Sequence, residues 1–393
     1  MRLLYVITGA EFGGPCRHVL RLMEHLKKQG HQVGLVSAPG SRLWQQAQKL
    51  DVELFPNAHF LRPVPLYEDL LSLGPVLRAI RAFKPELLSA HSTKAGFAAR
   101  LCAAISRATP VIFTAHGWSF TEGKNKRSRH VLALAERLAA GFTQKIICVS
   151  EYDRRMALRF KVAPEDKLVT IHNGVAHQPF LALSSAAHEE CGAGATSVVT
   201  MVARLVPQKD PLTLLRACLL LSKGIPQASG RPCFKVLLVG DGVLRTQAAD
   251  FLRKNPKLDG SVALMGERED IPEILAASDI FVLCSQWEGL PRAIIEAMLA
   301  GLPVVATRVG GVPELVDHGV TGFAVPPRDP EALAAALRKL LDDPELCRRM
   351  GKAGQKKALQ DFSLERMLYE TQAVYEELLL KSPHSPLTKG GIR

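Results

Sequence analysis

Apolar and polar positions along this chain fall into two alternating series. In the first half, short apolar runs occupy residues 3–8, 33–37, 87–90, 111–115, 146–149 and 168–171. Runs of this length predict strands buried on both faces. Between them, apolar residues recur at helical spacing near residues 17–29, 43–50, 69–83, 95–106, 129–140 and 152–160. Such alternation specifies a doubly wound parallel sheet. Asn173-Gly174 closes the series, and a stretch rich in Ala, Ser, His and Gly follows it. The pattern restarts at residue 197. Strands are predicted at 197–203, 235–239, 262–265, 280–285 and 303–307, and helices near 211–222, 244–254, 271–277, 290–300 and 330–341. The division is therefore a domain at 1–176, a linker at 177–196, a second domain at 197–362, an amphipathic helix at 363–381 and a disordered polar tail at 382–393. Two such α/β domains set their strand ends on either side of a central cleft.

The densest chemistry lies between Cys284 and Val316. The loop after the strand at 280–285 holds Glu288, Gly289 and Leu290, with Pro291 read into the first turn of the next helix and Gly301 just past its end. Open α/β sheets bind ligands at such loops. The N–H groups of a first helical turn are unpaired and the helix dipole is positive there, which suits a phosphate. Glu288 precedes that turn and Glu296 lies about two turns inside the helix. The pair could grip hydroxyl-rich groups on either side of a diphosphate, as in a nucleoside diphosphate sugar. A capping glutamate plus an ordinary helical one explains the spacing equally well.

The wider stretch resembles a known family. Glu288-x7-Glu296 runs on through Ala-Met-Leu-Ala-Gly-Leu-Pro-Val-Val-Ala-Thr, Gly310-Gly-Val-Pro-Glu314 and Gly319-Val-Thr-Gly-Phe-Ala-Val-Pro-Pro-Arg-Asp-Pro330. These roughly fifty residues are similar to the signature of the retaining GT-B glycosyltransferases, glycosyltransferase family 4. Where many members read E-G-F-G-L, this chain reads Glu288-Gly-Leu-Pro-Arg292, a form familiar in builders of bacterial polysaccharides. The resemblance implies the GT-B fold, two Rossmann-like domains facing a cleft, with the terminal helix crossing back onto the first. It also implies Glu288 on donor sugar hydroxyls, Glu296 on the ribose, and backbone contacts from Gly289 and Leu290.

Other motifs take their roles from the same likeness. Ala203-Arg-Leu-Val-Pro-Gln-Lys-Asp210 resembles the family's G-R-x-x-x-x-K-G, with Ala203 and Asp210 replacing the glycines. Arg204 and Lys209 would neutralise charge on the leaving diphosphate; read alone, they are surface charges beside a loop. Gly13-Gly14 lets a backbone approach a ligand closely, or is a plain tight turn, and the family sets such a pair against donor phosphates or acceptor. His116 ends the strand at 111–115, where a structural histidine is the ordinary reading and the family has one that contacts the donor sugar. Gly266, Glu267 and Arg268 end another strand, in a loop whose backbone holds the nucleotide base in relatives. His172-Asn-Gly-Val175 resembles the family's N-G-V-D, with Ala176 in place of the acid.

Composition then narrows the field. None of the eight Cys forms a C-x-x-C pair, and most lie in apolar segments, so free buried thiols in a reducing cytosol are expected. The chain shows no D-x-D metal motif, no G-x-G-x-x-G dinucleotide fingerprint and no nucleic-acid motif. No metal or cofactor is expected. Net charge is +12, and residues 1–180 carry all of it, with 25 Lys and Arg against 13 Asp and Glu. A basic half fits an anionic membrane surface or a lipid-phosphate acceptor, or is solubility charge alone.

The expectation is a retaining glycosyltransferase of cell-envelope polysaccharide synthesis, cytoplasmic and peripheral on the membrane. It would move a sugar from a nucleoside diphosphate donor, UDP-linked in preference to GDP-linked, to a glycan or polyprenyl-linked acceptor. His116, Arg204, Lys209 and Glu288 would be catalytic. A non-hydrolysing sugar-nucleotide epimerase, a phosphorylase and an inactive membrane-associated binding protein are the alternatives.

Overall fold

A computed structural model describes residues 1–9, 12–60, 66–106, 109–121, 123–187, 196–223 and 234–381. Ala10 and Glu11 of the glycine-rich turn, residues 188–195 of the expected linker and the 382–393 tail lie outside the described residues. The chain divides into two compact units, residues 1–173 with the chain from Glu365 onward, and residues 174–364.

Unit 1 runs β1 (Arg2–Val6), α1 (Gly14–Lys28), β2 (Gln32–Ser37), α2 (Arg42–Gln48), β3 (Glu53–Pro56), α3 (Leu66–Leu71), α4 (Leu73–Phe83), β4 (Leu87–His91), α5 (Thr93–Ser106), β5 (Val111–Ala115), α6 (Lys126–Ala140), β6 (Lys145–Cys148), α7 (Glu151–Arg159) and β7 (Leu168–Thr170). Its sheet is parallel, in the order β3-β2-β1-β4-β5-β6-β7. The central strands are buried along their whole length, β4 and β5 completely, as their unbroken apolar runs require. Helix starts follow local chemistry. The Ser41 hydroxyl accepts from Trp44 N at 3.2 Å, and Asn125 Oδ1 accepts from Ser128 N at 2.9 Å.

Unit 2 runs α8 (Gln178–Ala187), β8 (Ser197–Val202), α9 (Pro211–Lys223), β9 (Phe234–Val239), α10 (Arg245–Lys254), β10 (Val262–Gly266), α11 (Ile271–Ala276), β11 (Ile280–Leu283), α12 (Arg292–Leu299), β12 (Val304–Thr307), α13 (Val312–Leu315), β13 (Gly322–Val325), α14 (Pro330–Leu341) and α15 (Pro344–Asp361). The parallel sheet has the order β10-β9-β8-β11-β12-β13. The last helix, α16 (Leu364–Lys381), belongs to unit 1, where the Tyr375 hydroxyl meets Ser89 Oγ at 2.9 Å.

Several boundaries differ from the sequence reading. The expected linker begins with a helix, α8, whose Ala- and Ser-rich sequence reads equally as a spacer. The single helix expected at 69–83 is two, α3 and α4. Pro75 has no N–H for the Leu71 carbonyl, and Asn57 Nδ2 takes the Ser72 carbonyl at 2.9 Å. Pro291 is not in a first turn: it precedes α12 with ψ 112, so Glu296 lies about one turn in. The helix expected near 129–140 starts earlier, at Lys126. β3, β13 and α15 went unread; the two strands are four residues each, and α15 is too charged for a clear apolar stripe. Burial pushes the thiols of Cys102 and Cys218 up to about 12, so they are unreactive core groups.

Candidate active site

In the second sheet β8 lies beside β11, and the chain winds outward from this pair on both sides. That is the topological switch point, where open parallel sheets bind ligands. The loops following these two strands are laced together. Gln286 N donates to Gln208 O at 2.7 Å, and Gln208 Nε2 donates to Trp287 O at 2.9 Å. Between them Lys209 Nζ donates to Glu288 Oε1, and Ser285 Oγ donates to the same oxygen at 2.5 Å. Glu288 is only 6% exposed. Burying a carboxylate this far is offset by the cation and the hydroxyl that face it. The next loop presses from behind. A Cβ on Gly310, whose φ is 55, would lie 1.9 Å from Glu288 O, and Gly311 N donates to Gly289 O at 2.8 Å.

Asp210, standing where the family has glycine, explains itself physically. Its φ is 46, a left-handed conformation that Asp tolerates better than most residues. Its carboxylate caps α9 through Thr213 N at 3.3 Å and Thr213 Oγ1 at 2.9 Å. Gln286 Nε2 reaches the same carboxylate at 3.3 Å. Arg204 is exposed in this loop. Arg292 opens α12; its Nη1 donates to Gly174 O at 2.8 Å, and its Nη2 lies 3.8 Å from Glu296 Oε1. Leu290 is buried and shapes the turn. Gly266 takes a φ of 68 and its carbonyl accepts from Gly240 N at 2.7 Å. Glu267 and Arg268 are exposed beyond it, Arg268 paired with Asp270 through two contacts of 2.8 and 2.5 Å.

Unit 1 has its own switch point, between β1 and β4. Gly13 caps α1 at an ordinary φ of −123, and among the described residues a Cβ there would meet nothing closer than Pro15 Cδ at 4.0 Å. Among the described residues neither backbone angle nor packing demands glycine there. Ser92, just past β4, has φ 62, the kind of backbone strain that clusters at functional sites. His116 meets two further histidines there. His91 Nδ1 lies 3.1 Å from His116 Nε2 with the rings stacked, and His18 sits edge-on to His116 with centroids 4.9 Å apart. Behind them Ser89 Oγ lies 2.9 Å from both His91 Nε2 and the Tyr375 hydroxyl. Burial pushes Tyr375 up to about 12, so it remains a donor. If the donors run Tyr375 to Ser89 to His91, His116 Nε2 is the acceptor and Nδ1 carries its proton. Burial, then His116 and His18, hold His91 well below the usual histidine range and therefore neutral. The ligand nitrogens of the three rings lie within 4.8 Å of one another, close enough for a cation to bridge. Both nitrogens of His91 are already engaged, so the observed arrangement is a hydrogen-bonded stack.

A family model described as "Glycosyl transferases group 1" matches residues 192–357, and one described as "Glycosyltransferase Family 4" matches residues 12–178. The Escherichia coli UDP-Gal:alpha-D-GlcNAc-diphosphoundecaprenol alpha-1,3-galactosyltransferase is 31% identical over 323 residues, 81% of this chain and 82% of its own. The chain belongs to glycosyltransferase family 4. The Staphylococcus aureus glycosyltransferase CapM of capsular polysaccharide biosynthesis is 26% identical over 92% of this chain and 93% of its own. Among solved structures, Anabaena Alr3699/HepE with UDP-glucose superposes with a TM-score of 0.78 at 22% identity, covering 96% of this chain and 100% of that one. At that identity the likeness bears on the fold, which is GT-B.

In this glycosyltransferase the structure unites Lys209 with Glu288 and gathers Gly289, Leu290 and Glu296 around the same turn. His116, Gly13 and Gly14 belong to unit 1. Sequence reasoning missed His18, His91, Ser89 and Tyr375. The one available signal was His91-Ser-Thr-Lys94, polar residues closing and following a buried strand that itself carries Ser89. Tyr375 lies 286 positions from Ser89 and left no local trace.

Proposed function

We propose that this glycosyltransferase moves a sugar from a nucleoside diphosphate donor, with UDP favoured, to a glycan or lipid-linked acceptor in bacterial cell-envelope polysaccharide synthesis, with retention at the anomeric carbon. The observation that carries the reading is the Lys209–Glu288 pair at the switch point ahead of α12. The relatives named for galactosyl transfer to a diphosphoundecaprenol-linked sugar and for capsular polysaccharide support the acceptor class.

In this reading the diphosphate lies at the start of α12, Glu288 holds sugar hydroxyls and Glu296 the ribose. As the bond from the anomeric carbon to the phosphate oxygen breaks, charge grows on the diphosphate, and Arg204 and Lys209 neutralise it. The acceptor oxygen forms its bond on the same face, and its proton passes to the departing phosphate. Lys209 and Glu288 act as one unit: the carboxylate fixes the ammonium before the donor arrives, so little reorganisation is left to the reaction. His116, its tautomer set by His91, approaches the sugar. Gly13 and Gly14 admit donor phosphate or acceptor, and the backbone at Gly266, Glu267 and Arg268 holds the base. No described helix is long and apolar enough to cross a membrane; the basic residues 1–180 would hold the enzyme at an anionic bilayer surface.

The test is incubation with UDP- and GDP-sugars and a polyprenyl diphosphate-linked sugar acceptor, with product anomers assigned by NMR. An α-linked product from an α-linked UDP donor is expected. Inversion, isomerised nucleotide sugar without acceptor, or phosphate-dependent cleavage would each overturn the reading.

A further inference from the structure

Helix α16 buries Met367, Thr371, Val374 and Tyr375, residues at helical spacing on one face, which fixes the Tyr375 ring in unit 1. Strand β4 sets Ser89 and His91 on one face, because side chains two apart in a strand point the same way. Tyr375, Ser89 and His91 are all fully buried. The other residues of β4 are Leu87, Leu88 and Ala90, so the polar line from α16 to His91 crosses an otherwise apolar strand.

Buried polar groups must place their protons on partners, and this fixes the direction of the line. Ser89 Oγ is the one described hydrogen-bond partner of the Tyr375 hydroxyl, at 2.9 Å. The buried Tyr5 hydroxyl beside it meets no hydrogen-bond geometry among the described residues. If Tyr375 gave its proton to Tyr5, the Tyr5 proton would be left dry and unpaired. Tyr375 therefore donates to Ser89. The single hydroxyl proton of Ser89 then goes to its other partner, His91 Nε2 at 2.9 Å. Neutral His91 keeps its own proton on Nδ1 and donates it to His116 Nε2 at 3.1 Å. The opposite direction would end on a buried phenol with an unpaired proton.

We infer that Tyr375 and Ser89 are positioning residues for sugar transfer: acting through His91, they hold His116 as the Nδ1–H tautomer, which offers a hydrogen-bond donor to an oxygen of the donor sugar. The inference rests on the transferase reading above and adds the last helix of the chain to the residues that shape the reaction. With Nε2 occupied, His116 meets a ligand through Nδ1–H. A sugar hydroxyl that accepts from it keeps its own proton for another partner.

Nitrogen-15 NMR of the full chain, labelled at histidine, reads the tautomer directly, with the His116 signals assigned by their loss in His116→Gln. The wild type should show a protonated Nδ1 and a bare Nε2 at His116. Tyr375→Phe keeps the ring and removes the hydroxyl, and Ser89→Ala breaks the line next to His91. Each should bring in the Nε2–H form, lower kcat about tenfold, the worth of one hydrogen bond, and leave KM for the donor within about twofold. Gln372→Ala is the control: it removes the contact of α16 with His25 Nε2 at 2.8 Å and should change neither tautomer nor turnover. A wild-type His116 protonated on Nε2 overturns the proposal, and so does an unchanged tautomer in Tyr375→Phe. If the tautomer shifts while turnover holds, the buried groups merely satisfy one another and the proposal falls. Equal effects in Gln372→Ala would assign the loss to the seating of α16, and it falls again. Absence of transfer from any nucleotide sugar sinks the transferase reading, while the NMR still decides whether Tyr375 sets the His116 tautomer.

Discussion

Lys209 and Glu288 hold each other in place before any ligand arrives. Lys209→Ala is expected to lower turnover roughly ten- to a thousandfold, the scale of losing one preorganised charge. Single-turnover assays that match the wild type would remove Lys209 from catalysis. Both residues were legible as candidates, because a cation and a carboxylate each follow a buried strand. Their direct pairing was not, since 79 positions separate them and only the sheet order brings β8 beside β11. His91 makes a different prediction. Its folded pKa is depressed, so its share of stability is complete above about pH 6.5 and is lost as pH falls, when the unfolded chain takes a proton that the buried ring refuses. The groups facing it are His18, His116, Ser89 and Tyr5. Urea unfolding between pH 7.5 and 5.5 should show stability falling by up to ~1.4 kcal/mol per pH unit from this group, and His91→Gln should flatten the slope. Parallel slopes would show that His91 is not held neutral.

At the scale of elements, the strands of both units were readable because parallel strands buried on both faces are continuously apolar. The misread elements have local causes. Pro75 splits one predicted helix, Pro291 delays another, and α8 has the composition of a spacer. Helix α6 shows what pattern alone conceals: Glu136 reads as one more surface charge, yet it is 1% exposed and pairs with Arg100 of α5. Burial raises the Glu136 carboxyl and the Arg100 guanidinium pulls it back down. Glu136→Ala leaves the guanidinium dry and unpaired, and should cost about 3 to 5 kcal/mol of stability. Denaturant titration is the check, and a change below about 1 kcal/mol would mean water reaches Arg100.

Across the whole molecule, charge and site are divided. The net charge of +12 comes from residues 1–180, and the Lys209–Glu288 site lies in unit 2. The α/β class was readable from the alternation along the whole chain, and the family from roughly fifty residues. The histidine stack was not, because it assembles from a helix and strand ends far apart in sequence. The central claim is that the turn from Glu288 to Glu296 holds a nucleoside diphosphate. Calorimetric titration of UDP, GDP and ADP into the wild type and Glu296→Ala, with and without a chelator, tests it most directly. UDP should bind without metal, and Glu296→Ala should weaken it by about tenfold or more, the worth of a charge-assisted ribose contact. No nucleotide binding by the wild type, or equal UDP affinity in both proteins, would contradict it.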